Sequence, residues 1–270
     1  MTTIKRGYAE SRFGQLHYRL AHSNGAGVPL LCLHQTPSSS ADWLPVMGPL
    51  STGRTVIAVD TPGYGMSDAP PEPASIEDFA EIMAQLMADL GAQGVIASGR
   101  FDVLGFHTGS LIATQLARSL PDMVRKVVVF GLAAYPAEER EDKLANLLKA
   151  FPPPGPSLDH VEKLWSIIGE LSDPRISWEE RHVNMAECLR LGARMPWGYI
   201  SVYRYDFLGA MAQVEQPVLV MNPEDDLWDV TLATAHTFRY GRRVDLAEVK
   251  HGVLKLETAR VVSEIEEFLG

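Results

Sequence analysis

The feature that most narrows the fold of this 270-residue chain is a repeated alternation between short, densely apolar runs and longer stretches of helical periodicity. Residues 29–33, 55–59, 101–104, 124–130 and 217–221 are apolar almost throughout, which suits strands covered on both faces. Residues 13–20 mix polar and apolar side chains and read as an earlier, less buried strand. Helical patterns lie between the runs. Ser75 and Asp78 form a capping-box pair, after which Ile76, Phe79, Ala80, Met83, Leu86, Met87 and Leu90 recur at three- and four-residue steps until Gly91. Further helices are expected over 108–117 and 258–269. Strands alternating with helices in this way predict an α/β architecture, a mostly parallel central sheet flanked by helices.

The rhythm breaks once. From residue 135 to 214 no comparable apolar strand appears. That stretch carries the proline-rich segment 151–156 and the aromatics Trp165, Trp178, Trp197, Tyr199, Tyr203, Tyr205 and Phe207. Structureless loops of this length are uncommon in compact domains, so a helical cap inserted at 135–214 is expected between core segments 1–134 and 215–270. The formal net charge of −10 argues against nucleic acid or an anionic membrane as partner. No segment approaches the roughly 18 to 20 uncharged apolar residues of a membrane span. Cys32 and Cys188 lack paired spacing, so neither a disulfide framework nor a CxxC zinc site is expected. A cytoplasmic chain with a small-molecule partner follows from this reading, and a homodimer is compatible with it.

Three segments carry the chemistry. LLCLHQTP ends a buried run in His34, Gln35, Thr36 and Pro37, at the carboxyl end of a strand where α/β proteins place ligands. VIAVDTPGYGMSD leaves a strand at Asp60 and turns through Pro62, Gly63 and Gly65, and by itself signals only a turn. FDVLGFHTGSLIATQLA is the most informative: a buried strand, Gly105, His107 flanked by single residues, Gly109, then a helix. That is the strand-turn-helix setting of a G-x-S-x-G nucleophile elbow, whose small residues allow a tight turn that pushes the central side chain out of the sheet. The amide of Thr108 and the positive end of the following helix would face an oxyanion there.

On these residues the chain resembles the α/β-hydrolase superfamily over nearly its whole length. His34-Gln35-Thr36-Pro37 is similar to the family's HGxP oxyanion segment, with Gln35 in place of glycine, and residues 60–67 are similar to its DxPGxGxS segment. Asn222-Pro223-Glu224-Asp225-Asp226 resembles the turn bearing the acid. The resemblance assigns that role to Asp226, with Asp225 as second choice. Lys250-His251-Gly252 resembles the segment bearing the general-base histidine. The departure is at the elbow, where His107 stands in place of Ser, Asp or Cys.

His107, Asp226 and His251 are therefore the expected catalytic group, with His34, Gln35, Thr108, Trp197 and Tyr203 as oxyanion or substrate-binding residues. In one reading Asp226 orients His251, which deprotonates water or substrate while His107 polarises the substrate oxygen; in another His107 attacks as nucleophile. Both suit hydrolysis of an ester, a lactone or a C–C bond next to a carbonyl. A lyase or cofactor-independent oxygenase using the same His-Asp pair, and a catalytically silent binding protein, are the alternatives. His34, His107, His251 and Asp226 could also form a Zn or Fe set. The resemblance already accounts for His34 and His251, however, so no metal is expected. No GxGxxG follows the first strand, and no organic cofactor is expected. His17, His22, His160, His182 and His236 have no motif around them and are assigned to the surface or the insertion.

Overall fold

The computed structural model describes residues 2–23, 25, 27–97 and 99–270. The apolar runs form strands of one sheet, eight-stranded among the described residues. In chain order these are β1 (Ile4–Ser11), β2 (Gly14–Ala21), β3 (Gly27–Leu33), β4 (Arg54–Val59), β5 (Phe101–Phe106), β6 (Val124–Phe130), β7 (Val218–Pro223) and β8 (Gly241–Leu246). Their spatial order is β1-β2-β4-β3-β5-β6-β7-β8. β1 pairs antiparallel with β2, β2 pairs antiparallel with β4, and the remaining neighbours run parallel. This is the mostly parallel sheet that the alternation predicts. Two strands escape the sequence reading, and both lie at sheet edges. β1 alternates between exposed and half-buried residues, and β8 opens with Gly241, Arg242 and Arg243 in solvent, so neither contains an apolar run.

The helices are α1 (Leu44–Leu50), α2 (Ile76–Ala92), α3 (Thr108–Ser119), α4 (Ala137–Ala145), α5 (Leu147–Ala150), α6 (Asp159–Leu171), α7 (Trp178–Leu191), α8 (Trp197–Arg204), α9 (Phe207–Met211), α10 (Trp228–Thr234), α11 (Val253–Leu256) and α12 (Thr258–Leu269). Side chains alternate across the strands and so build two cores. Leu31, Leu33, Ile57, Val59, Val103, Val127 and Val129 face α2, α3, α8 and α9. Leu30, Cys32, Val56, Ala58, Leu104, Val128 and Leu219 face α1, α11 and α12. α2 shows how the sequence specifies one of these contacts. The expected capping box is present, with Ser75 Oγ accepting from Asp78 N and the Asp78 carboxylate accepting from Ser75 N. Its apolar stripe is buried, each large side chain contributing about 1.5–3 kcal/mol. The helix continues one residue past the expected stop at Gly91.

Residues 135–214 contain α4 to α9 and no named strand. Leu164, Met185, Cys188, Leu191 and Met195 make a third apolar cluster that closes on Tyr64, a residue of the turn after β4. α8 and α9 differ from the other helices of this stretch by sending Val202, Phe207 and Met211 into the main core. Cys32 and Cys188 are both free and buried. No helix among the described residues is long and apolar enough to cross a membrane.

Candidate active site

The elbow follows from its two glycines. A Cβ on Gly105 would lie 2.2 Å from Gly109 O, and one on Gly109 would lie 2.0 Å from Leu33 O, so both positions exclude any side chain. Between them His107 takes φ 47° and ψ −108°, a backbone conformation costing of order 1–3 kcal/mol for a residue with a side chain. Surrounding bonds hold it there. His107 N donates to Phe130 O at 2.8 Å, Ser110 N donates to His107 O at 2.8 Å, and Ser110 Oγ donates to Gly105 O and Phe130 O. Ser110 is thus a structural brace turned into the fold, not a displaced nucleophile.

The His107 ring stacks on Phe106, with centroids 4.8 Å apart. Its Nε2 lies 2.9 Å from Oδ2 of Asp225, whose side chain is fully buried and whose Oδ1 accepts from Leu227 N. Gly131, at the end of β6, makes room for this ring: a Cβ there would meet His107 Cδ2 at 2.6 Å and Nε2 at 2.7 Å, and its φ of 61° favours glycine as well. The neighbouring carboxylate serves a different imidazole. Asp226 Oδ1 lies 2.7 Å from Nε2 of His251, and the two rings meet edge to face with centroids 5.2 Å apart. Two His–Asp pairs thus stand side by side, their acids adjacent on the turn after β7.

The electrostatics follow from this arrangement. Burial pushes Asp226 upward, but the hydrogen bond from His251 and the charges of His107 and His251 hold its carboxyl well below the usual carboxylate range. For His251, burial favours the neutral ring, yet the bond to Asp226 and the charges of Asp225, Asp226 and Asp42 raise its pKa above the ordinary histidine value. The ligand atoms of His107, Asp225, Asp226 and His251 all lie within 4.8 Å of one another, so among the described residues these four could hold a divalent cation. Each ring already has its Nε2 against a carboxylate oxygen.

The His251 segment is tied to the helical stretch. Ser172 bridges to His251, Asp173 N donates to His251 O at 3.0 Å, and Lys250 N donates to Asp173 Oδ2 at 3.1 Å. Arg175 grips both Asp173 oxygens, at 2.8 and 3.0 Å. That ion pair and its bonds hold the Asp173 carboxyl well below the ordinary range against the upward pull of burial.

A cavity of about 390 Å³ opens over the two imidazoles. Of the expected residues, His107, Asp226, His251, Gln35, Thr108 and Tyr203 line it. Thr108 is the first residue of α3, where an amide has no intrahelical carbonyl to bind. Two expectations need correction. The His34 ring is buried and turned away from the cavity, because its Nε2 accepts from Thr61 N at 3.0 Å and its Nδ1 lies 2.6 Å from Gln35 O; it braces the loops after β3 and β4. It takes no part in the four-residue cluster. Trp197 also lies outside the lining, at the start of α8, the helix whose Tyr199, Val202 and Tyr203 do line it. The assignment of His17 to the surface is overturned too. It is 1% exposed and its Nδ1 lies 2.8 Å from Asp60 Oδ2, in a knot that also receives Ser40 N and Met66 N. Asp60 is therefore a loop organiser. His160 and His182 do not line the cavity. Asp225's role with His107, Gly131, Asp173 and the cavity residue Asp42 were not found from sequence; the doubled acid at 225–226 was the one signal available.

With this geometry in view, comparisons with known proteins agree on the architecture. The family model described as the α/β hydrolase fold matches residues 28–151. The chain is 24% identical to the (E)-2-((N-methylformamido)methylene)succinate hydrolase of Acinetobacter baylyi, over 87% of this chain and 88% of that protein. It is 34% identical to the 2-(acetamidomethylene)succinate hydrolase of Mesorhizobium japonicum, over only 47% of this chain and 43% of the relative. Among solved structures, a hydrolase from Pseudomonas aeruginosa superposes with a TM-score of 0.79 at 20% identity, covering 98% of both chains. The enol-lactonase of Burkholderia xenovorans gives 0.76 at 18% identity, covering 97% of this chain and 99% of that one. The sheet order, the elbow and the turn after β7 define an α/β-hydrolase fold. The family match is confined to residues 28–151, while the solved structures share this fold over nearly the whole chain.

Proposed function

We propose that the chain is a hydrolase of a small carbonyl compound, an ester, a lactone or a C–C bond next to a carbonyl, and that it works by general-base catalysis without a hydroxyl nucleophile. One observation carries the reading: two imidazoles meet edge to face at the elbow, each with Nε2 held by its own carboxylate. A neutral ring donating Nε2–H to a carboxylate keeps its lone pair on Nδ1. His251 Nδ1 then takes the proton of an attacking water, and Asp226 stabilises the imidazolium that forms, as the acid does in a serine triad. The developing oxyanion is met by the amides near Gln35 and Thr108 and by the positive end of α3. As the tetrahedral intermediate collapses, His251 returns the proton to the leaving group. His107, oriented by Asp225, positions the substrate oxygen beside the base. Residues 135–214 act as a cap, with Leu164, Tyr199 and Tyr203 forming the apolar roof of the cavity.

The magnitudes suffice for an activated carbonyl. Positioned acid–base catalysis supplies about 10²- to 10⁴-fold, and an oxyanion donor about 10²- to 10³-fold more. The named activities of the relatives, which are hydrolases, support the class. The test is a screen with p-nitrophenyl esters and lactones, followed by His251→Ala. Loss of at least about 10²-fold in kcat, with no burst of leaving group in the wild type, is expected. Full activity in the variant overturns the mechanism, and a stoichiometric burst transfers the first step to His107 as nucleophile.

A further inference from the structure

The cavity lining also carries a carboxylate, near enough to His251 to influence its charge, that the proposed mechanism leaves idle. Asp42 lies beside the loop of Gln35 and lines the cavity, and its Oδ2 is buried with no hydrogen-bond partner among the described residues. An orphaned buried carboxylate oxygen costs about 1–3 kcal/mol or more, so a donor supplied by a ligand would recover that energy on binding. Elsewhere in the lining, acidic side chains outnumber lysine and arginine. Asp226, Glu180 and Glu187 also face the cavity, and the cation in the lining, Lys255, is already bonded to Glu180. No arginine lines the cavity among the described residues.

Away from the oxyanion site, a bound carboxylate would therefore meet acidic side chains and no unpaired lysine or arginine among the described residues. Like charges brought together in a low-dielectric cleft are what a binding site uses to reject a ligand. The two relatives named above are, by their names, hydrolases of succinate derivatives; the lining of this cavity does not suit such an anion.

Resting on the hydrolase reading of the site, we propose that Asp42 sets its substrate class: a carbonyl compound bearing an N–H donor, amide or ammonium, and no carboxylate. The N–H fills the vacant acceptor position on Asp42 while the carbonyl lies toward His107 and His251. Burial pushes the Asp42 carboxyl upward, against the pull of Ser38, His34, Gln35 and His251, and an N–H donor or an ammonium would draw it back toward the charged form.

The experiment is calorimetric and independent of turnover. Phenylacetamide, 2-phenylethylammonium and phenylacetate share one apolar body and differ in the polar group. The two N–H ligands are expected to bind the wild-type protein roughly 10- to 100-fold more tightly than phenylacetate, the range of one hydrogen bond to a charged group. The order between the two identifies which donor is preferred. In Asp42→Asn that preference falls to within about threefold, with a melting curve showing that the variant folds; Asp42→Ser serves if the first does not. Phenylacetate binding as tightly as the N–H ligands, an unchanged preference in the folded variant, or binding of none of the three overturns the proposal. Absence of hydrolysis in the ester screen would defeat the mechanism and leave this binding order untouched.

Discussion

At the scale of single residues, the doubled acid after β7 is the point on which the site turns. Asp225 and Asp226 are adjacent, yet one is buried against His107 and the other is half open against His251. Asp225→Asn leaves the shape and removes the acceptor that fixes the His107 tautomer. We expect kcat to fall by about 10²-fold or more with melting temperature little changed, measured by steady-state kinetics beside calorimetry. The pH dependence follows from His251. In the proposed mechanism catalysis needs the neutral ring, and its pKa is raised, so the ascending limb of kcat/KM should lie above the ordinary histidine value of about 6.5. Asp226→Asn removes the largest raising influence and should move that limb downward. A limb that stays in place in that variant would mean another group titrates. How much of this was legible differs by residue. Asp226 and His251 could be read from the order of motifs along the chain. The Asp225–His107 bond could not, because it depends on which way a ring rotates at a strained backbone position. Asp42 could not either, since a carboxylate in a short 3-10 turn looks the same in sequence whether it faces solvent or a cavity.

At the scale of elements, two contacts place the imidazoles. The end of β6 is one. Gly131→Ala puts a methyl group into the space of the His107 ring at a positive φ, and should destabilise the fold by about 1–3 kcal/mol while displacing the ring from Asp225. Denaturant unfolding and the Asp225-dependent activity would both report it. The Asp173 segment is the other. Asp173→Ala leaves Lys250 N without its acceptor and frees Arg175, which should cost about 1–3 kcal/mol and lower kcat through a misplaced His251. Elements were legible in proportion to their burial. β4, β5 and β7 are buried along their whole length and stand out as apolar runs. β1 and β8 do not, because an edge strand is recognised by the neighbour it pairs with, and pairing leaves no mark on local composition. The helical stretch was legible as a type of structure. Its division of labour, with α8 and α9 in the main core and α6 and α7 in a separate cluster, was not, since both sets carry the same aromatic and aliphatic residues.

At the scale of the whole molecule, the perturbed groups bracket a window of stability. Asp173 and Asp226 have pKa values depressed below those of the unfolded chain, so they contribute stability above the unfolded carboxylate value of about 3.9 and lose it as pH falls. His251 has a raised pKa, so its contribution is complete below about 6.5 and disappears as pH rises through the folded value. Melting temperature should therefore be highest between roughly pH 5 and 6.5 and decline on both sides, the alkaline decline being reduced in Asp226→Asn. Since both Nε2 atoms already face carboxylates, dialysis against a chelator should leave turnover and melting temperature unchanged; stoichiometric Zn, Mn or Fe in the purified protein would reassign the four-residue cluster.

The bridge from Ser172 and Asp173 to His251 joins the roof of the cavity to one of its two imidazoles through the backbone itself. Any shift of α6 and the turn after it must carry the His251 carbonyl along or break that bond. A ligand that displaced this cavity-lining turn would therefore meet a ring that is out of place.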